Sequence, residues 1–273
     1  MGELAQHDSS HHLWAPLSGT KWYLITTIDD HSRRLLYADL WERETSWAHI
    51  VAVKQVVMEF GCPLKYYPDN HAIFRYVEKR DSIHRKYDKT EEEAFVQWKG
   101  VLSDLRIDIS YALSSPAKGK VERPYQWLQD HIVRTCVREG ITKIGEAREV
   151  LYAELFQYNE KRVHSTIKEI PVMRYEKAIQ EKRSLFRKAS IRSPYETWDD
   201  IFCYRYKRVV DGYRRVSFNN LEFAMHGVSI REEVELRISF NLKTGMAKIR
   251  FWYKNRLIDE KLVKAEDIKK VHF

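Results

Sequence analysis

Lys21-Trp22-Tyr23-Leu24-Ile25-Thr26-Thr27-Ile28-Asp29 is a compact run of β-branched and aromatic residues, the composition of a strand in the middle of a sheet. Asp30-His31-Ser32-Arg33 reads as a turn, and Leu35-Leu36-Tyr37-Ala38-Asp39-Leu40 as the next strand. With the segment around residues 4–9, this makes three strands joined by short connections, an antiparallel meander. Thr45 or Ser46 can cap a helix that runs to about Phe60, with apolar residues at 50, 53, 57 and 60 and Gly61 to stop it. Cys62-Pro63-Leu64-Lys65-Tyr66-Tyr67 is then a fourth strand, delivering Asp69 at its C-terminal end.

Residues 75–93 are densely charged and lack periodicity, so they read as an insertion. A helix from about Ala94 to Leu105 and a short strand, Ile107-Asp108-Ile109-Ser110-Tyr111, follow. After the loop Ser114-Ser115-Pro116-Ala117-Lys118-Gly119, the residues Val121, Tyr125, Leu128, Ile132 and Cys136 recur at helical spacing and define a buried stripe. Glu122, Gln126 and Gln129 fall on another face, and Pro124 is tolerated within the first turn. Helices are expected at about 145–161 and 172–188. From Tyr204 the pattern changes to alternation: Val216/Phe218, Val234/Leu236/Ile238/Phe240, then Ala247/Ile249/Phe251/Tyr253. Asn241-Leu242-Lys243-Thr244-Gly245 between the last two runs is a hairpin signal. The chain therefore divides into an α/β domain over 1–190 and a small all-β barrel or sandwich over 191–273.

At 273 residues and 44% hydrophobic, the chain is long enough for two cores. It contains no apolar run of bilayer length and no secretory-type leader, which points to a cytoplasmic, nucleoid-associated location and away from a membrane. Three widely spaced cysteines, Cys62, Cys136 and Cys203, argue against a disulfide framework or a cysteine zinc site. Charge is uneven: residues 1–112 carry 14 basic against 17 acidic groups, 113–190 carry 16 against 10, and 191–273 carry 17 against 12. The positive excess begins near Glu122 and continues to the end. Nucleic acid is the partner that such asymmetry most often serves, with a generic basic surface as the alternative.

Three acids stand out by their settings: Asp8 in Gln6-His7-Asp8-Ser9, Asp69 in Tyr66-Tyr67-Pro68-Asp69-Asn70, and Glu122 in Lys118-Gly119-Lys120-Val121-Glu122-Arg123. Two aspartates at strand positions and a glutamate opening a basic helix suit two hard divalent cations, Mg2+ or Mn2+. Such ions, about 3.5–4 Å apart, activate a nucleophile and stabilise both oxygens of an in-line phosphoryl transfer. Asp29 and Asp30 are competing candidates. They rank lower because they lead a turn, where aspartate serves local backbone bonding.

The ordered set Gln6-His7-Asp8-Ser9, Ile28-Asp29-Asp30-His31-Ser32-Arg33-Arg34, Tyr67-Pro68-Asp69-Asn70 and Ser115-Pro116-Ala117-Lys118-Gly119-Lys120-Val121-Glu122-Arg123 resembles the catalytic core of DDE-family transposases and retroviral-type integrases, closest to bacterial insertion-sequence transposases. Tyr158-Asn159-Glu160-Lys161-Arg162-Val163-His164 followed by Pro171 resembles that family's closing helical segment. The resemblance covers roughly residues 4–180. It implies a ribonuclease-H-like fold, a mixed five-stranded sheet with flanking helices, and the β-rich tail is similar to the small barrel of Mu-like transposases. It further implies that Asp8, Asp69 and Glu122 are the catalytic, metal-binding triad, and that the reactions are hydrolysis at an element end and attack of the freed 3′-hydroxyl on target DNA. Departures are the 52 residues between Asp69 and Glu122, His71 where relatives often have glycine, and Gln129 where many have a basic residue. No end-reading module precedes Asp8, so a separate polypeptide is expected to supply one.

Around the triad, Lys118, Lys120 and Arg123 are placed to hold DNA phosphates, and Asn70 to support Asp69 or touch substrate. In the tail, Arg205, Lys207, Arg208, Arg214 and Arg215 form a basic cluster suited to the same task. His7 reads as a packing residue, His11-His12 as incidental, and Arg162 and His164 as core or DNA contacts. The partner expected is double-stranded DNA, both element ends and target, engaged by a homo-oligomer. The alternatives are a catalytically silent DNA-binding or assembly subunit, and another ribonuclease-H-like nuclease.

Overall fold

The computed structural model describes residues 1–68, 89–110 and 119–268, with the side chains of 89–96 and 119–124 outside the description. The strands are β1 (Leu4–His12), β2 (Trp22–Asp29), β3 (Leu35–Trp41), β4 (Lys65–Pro68), β5 (Asp108–Ile109), β6 (Tyr204–Val209), β7 (Arg215–Phe218), β8 (Leu221–Ala224), β9 (Glu233–Asn241), β10 (Met246–Tyr253) and β11 (Arg256–Lys264). The helices are α1 (Ser46–Phe60), α2 (Lys89–Asp104), α3 (Gly119–Arg138), α4 (Ile144–Phe156), α5 (Pro171–Gln180) and α6 (Trp198–Ile201).

Two compact units result. One comprises Met1–Glu44, Val51–Phe95 and Arg106–Ala189, and the other Thr45–Ile50, Val96–Leu105 and Ser190–Phe273. The start of α1 and the end of α2 thus group with the tail, so the second unit draws on chain from before residue 190.

In the first unit, five strands lie in the order β3-β2-β1-β4-β5, the mixed five-stranded sheet that the resemblance implied. β1, β2 and β3 run antiparallel, while β4 and β5 run parallel to β1. The short antiparallel connections and the helical crossovers follow from those directions. β2 is buried on both alternating faces, which is why its sequence is apolar or threonine from Trp22 to Ile28. Trp22, Leu24 and Ile28 of β2 join Leu35, Ala38 and Leu40 of β3 in one core cluster. Tyr125, Leu128, Ile132 and Cys136 of α3 and Ala147, Val150 and Leu151 of α4 close it. These α3 residues are the stripe its spacing requires.

Helix ends follow their local chemistry. Thr45 Oγ1 accepts from Ala48 N at 3.2 Å, capping α1. Gly61 ends it at φ +98°, and an added Cβ there would lie 2.6 Å from the Arg187 carbonyl oxygen. The charged stretch at 75–93 was expected to be irregular. Residues 69–88 lie outside the described residues, and α2 already begins at Lys89. The expected helix at 145–161 is α4 plus a π-helical turn, Gln157–Lys161, and that expected at 172–188 is shortened to α5.

The π-turn has a structural use. It directs Asn159 onto edge strand β3, where its amide accepts from Leu35 N and donates to Leu35 O, both at 2.9 Å. Arg148 of α4 donates to Leu40 O and pairs with Asp39 at 2.9 Å near the other end of that strand. Side chains thus occupy an edge that would otherwise recruit another strand.

In the second unit, β11-β10-β9-β6 form an antiparallel sheet and β7-β8 a two-stranded ribbon. The described pairing is therefore an open sheet and a ribbon, where a barrel or sandwich was expected. Asn219-Asn220 and Lys254-Asn255 have positive φ at both positions, the requirement of tight hairpins. Among the described residues, no helix is long and apolar enough to cross a membrane.

The buried Asn159 bridge is testable. Asn159→Ala removes both partners of Leu35, and unfolding in urea is expected to show a loss of about 2 kcal/mol or more. A loss under about 0.5 kcal/mol would show that the bridge does not hold the edge.

Candidate active site

Strand alternation decides which β1 side chains share a face. Asp8 is directly opposite Thr26 in the β1–β2 register, and His7 is opposite Thr27. Cross-strand partners point to the same side of a sheet, and neighbours along a strand to opposite sides. Asp8 and Thr26 therefore share a face, while His7 and Thr27 occupy the other.

The Asp8 face is the one covered by α3. Thr26 Oγ1 and Tyr125 Oη make a buried hydrogen bond of 2.7 Å. Tyr125 lies three residues after Glu122, and residues three apart are neighbours on a helix surface. A single bond thus links the cross-strand partner of Asp8 to the turn of α3 that carries Glu122. Asp8 is half-buried, and its Oδ1 accepts from Ser9 N at 2.9 Å, which fixes the carboxylate's rotation.

β4 approaches from the other side of β1. Its parallel register pairs Gln6 with Tyr67 and His7 with Pro68, the last residue of β4. Asp69 and Asn70 come next in sequence and lie outside the described residues, as does Lys118. The backbone of Lys120, Glu122 and Arg123 belongs to the first turn of α3, while their side chains are outside the description. Among the described residues, no three His, Cys, Asp or Glu side chains group closely enough to hold a metal ion.

The competing aspartates have structural partners. Buried Asp29 accepts from Gly2 N at 2.8 Å, Ser32 N at 2.8 Å and Ser32 Oγ at 2.6 Å. Asp30 pairs with Arg33 at 2.8 Å and accepts from the Gln6 amide. Both close the β2–β3 turn. His7 is also a packing residue: its Nδ1 lies 2.8 Å from Thr27 Oγ1, and its ring meets Tyr66 edge-on.

Past Asp8, an open groove is lined by His12 and by Gln126, Gln129, Asp130, Val133 and Arg134 of α3. His12 was read as incidental, yet it lies on the Asp8 face, two periods along β1. That alternation was the available signal. Burial, with help from Lys21, lowers the pKa of His12, favouring the neutral ring. His11 points away and stacks on Tyr23 at 4.2 Å. Gln126 and Gln129 contribute to the groove, so the flank of α3 beside the core stripe borders this open space.

Other expected contacts divide between internal and external roles. Arg205 donates to Asp104 at 2.6 Å, Ile201 O at 2.7 Å and Cys203 O at 3.0 Å. Its guanidinium is committed inside the second unit, which corrects the expectation of a phosphate contact. Lys207 pairs with Glu233 at 2.7 Å, and Arg215 with Glu222. Arg208 lies over the rings of Tyr206 and Phe218, and Arg214 is exposed. Arg162 stacks 4.9 Å from the Trp127 ring centre. His164 is buried, accepting from Thr166 N and set edge-on to Tyr158.

No protein-family model matches the chain. It is 30% identical over 160 residues to the putative transposase y4bF of Sinorhizobium fredii (strain NBRC 101917 / NGR234), and 29% identical over 160 residues to the transposase for insertion sequence IS1202 of Streptococcus pneumoniae. Each match takes in 59% of this chain and 33% of the relative, so the chain spans about a third of the length of the curated relatives it matches. Among solved structures it is similar to the HTLV-2 integrase catalytic core domain in complex with magnesium, with a TM-score of 0.46 and 18% identity, covering 63% of this chain and 95% of that one. A second is the simian T-cell lymphotropic virus intasome in complex with the PP2A regulatory subunit B56 gamma, at TM-score 0.47 and 15% identity, covering 96% and 76%. The transposase resemblance carried by the motifs is thus matched by sequence similarity to transposases.

The tie between sheet and helix yields a double-mutant cycle. Thr26→Val and Tyr125→Phe should each lower the unfolding free energy by about 1–2 kcal/mol, and the pair by less than the sum. Additive effects would show that the two hydroxyls do not hold each other.

Proposed function

We propose that the chain is a DNA strand-cutting and strand-joining enzyme in which Asp8, Asp69 and Glu122 hold two divalent cations, magnesium or manganese. The observation that carries this reading is the hydrogen bond from Thr26, the cross-strand partner of Asp8, to Tyr125, one turn beyond Glu122. Support also comes from the β1–β4 register, which ends one residue before Asp8 on one strand and one residue before Asp69 on the other.

The donor set suits the ions. All three ligands are carboxylates, hard oxygen donors that favour magnesium or manganese over softer metals. Bound there, a pair of such ions supplies charge neutralisation at the phosphate and makes a water or 3′-hydroxyl nucleophilic at neutral pH. The protein's part is to position. The Ser9 amide orients Asp8, and the Thr26–Tyr125 bond fixes the first turns of α3 against the sheet. A carboxylate held in place needs little reorganisation as charge develops on the transferred phosphate.

Lys118, Lys120, Arg123 and Asn70 are the proposed phosphate contacts beside the acids, and Lys207, Arg208, Arg214 and Arg215 those in the second unit. Arg205 is left out because its donors are already engaged. The substrate is double-stranded DNA, the ends of a mobile element and its target, and two ends to be joined call for more than one copy of the chain.

The test is nicking and strand transfer on DNA bearing the ends of the encoding element, with Mg2+ or Mn2+. Asp8→Asn, Asp69→Asn and Glu122→Gln are each expected to lower the rate by about a hundredfold or more, equivalent to about 2.7 kcal/mol of transition-state stabilisation. DNA affinity should stay within about threefold, because phosphate contacts elsewhere dominate binding. Near-normal activity in any one variant would remove that residue from the site.

A further inference from the structure

Tyr213 is 81% exposed, the greatest exposure of any large hydrophobic side chain among the described residues. Single exposed aromatics are common, so exposure alone carries no meaning. The way this one is held does. The Asp211 carboxylate accepts from Tyr213 N at 2.9 Å and from Arg215 N at 2.8 Å. Backbone bonds from Asp211 N to Arg215 O (2.8 Å) and from Arg214 N to Asp211 O (3.1 Å) close the same turn. The ring is therefore presented on a fixed support, and the Arg215 guanidinium lies 5.0 Å from its centre.

Its surroundings are basic after internal pairing is taken into account. Lys207 answers Glu233, Lys254 answers Glu232, and Arg215 answers both Asp211 and Glu222. Arg208, Arg214 and Arg231 form no ion pair among the described residues. Two of them arise from backbone bonded at this turn, since Arg231 N donates to Val210 O and Met225 N to Arg214 O, both at 2.8 Å. Arg208, on β6, lies two residues before Val210, with its guanidinium over the rings of Tyr206 and Phe218. Val209 and Ile230, 60% and 50% exposed, neighbour Arg208 and Arg231 in the chain. An aromatic ring beside arginines that no carboxylate neutralises matches the chemistry of a nucleic-acid strand, in which flat bases alternate with phosphates.

We propose that Tyr213 stacks on an unpaired base, with Arg208, Arg214 and Arg231 holding the flanking phosphates. The proposal rests on the reading of the chain as a DNA strand transferase and narrows what the second unit grips. In an intact duplex the base faces are covered by one another, so the ring needs a frayed end or a displaced single strand. A duplex alone would use the arginines and leave the ring idle.

Fluorescence anisotropy of the full chain with a labelled single strand, and with a blunt duplex of the same sequence, tests this. Tyr213→Ala should weaken single-strand binding by about tenfold while Tyr213→Phe, which keeps the ring, stays within about twofold. Duplex affinity should change by less than about twofold in both. A 2-aminopurine base in the single strand should be quenched by the parent chain and by Tyr213→Phe but not by Tyr213→Ala. Unchanged single-strand affinity in Tyr213→Ala, or an equal loss on both DNAs, would overturn the proposal. A chain that cuts DNA with Mg2+ but binds single strands without regard to Tyr213 overturns this proposal alone. A chain that needs Tyr213 for single-strand binding but cuts nothing, with its three acids intact, overturns the strand-transfer reading alone.

Discussion

The hydrogen bond between Thr26 and Tyr125 is the constraint on which the rest of the candidate site depends. β2 is the strand through which both neighbours are aligned: it fixes the register of β1, and so the face on which Asp8 lies. α3 carries Glu122, the proposed third acid, but a helix packed by an apolar stripe alone can rotate or slide by a fraction of a turn. A buried hydroxyl pair removes that freedom, because breaking it leaves polar groups short of partners in the core. The same helix then borders the groove lined by residues from His12 to Arg134.

The edges of that sheet are handled with comparable economy. Asn159 and Arg148 satisfy backbone groups of β3 at Leu35 and Leu40, replacing what a sixth strand would offer. The π-turn that aims Asn159 is an extra residue's worth of winding at the end of α4, a local irregularity whose cost is offset by two buried hydrogen bonds. In the second unit, Asp104 of α2 anchors both Arg205 and Arg237, and Asp200 pairs with Arg250 while capping α6. Arg237, Asp200 and Arg250 are buried and Asp104 and Arg205 half-buried, and all are paired, the condition under which charge is tolerated inside a protein.

Much of the fold was legible in the sequence because it is written in periodicity. The β1–β3 meander, the α1 cap and stop, the buried face of α3 and the Asn241–Gly245 hairpin each rest on neighbours in the chain. Reading Asp29 and Asp30 as turn residues was likewise a local inference, and their bonds to Ser32 and Arg33 are those of a turn. What was not legible is long-range. The partner of Arg205 is Asp104, about a hundred residues upstream, and nothing near Arg205 announces it. The π-turn hides inside an ordinary helical pattern. His12 seemed idle until the strand's alternation placed it beside α3. The triad itself was named from the order of motifs and a family resemblance, because periodicity can put an acid on a face but cannot bring three faces together.

The account's central claim is convergence: Asp8, Asp69 and Glu122 meet at one site because β1, β4 and α3 are held by register and by the Thr26–Tyr125 bond. The most direct measurement is a crystal structure with Mn2+, located by its anomalous scattering. The account predicts two ions about 3.5–4 Å apart, coordinated by the three carboxylates with Asp8 shared between them. Manganese bound elsewhere, or carboxylates too far apart to share the pair, would contradict it.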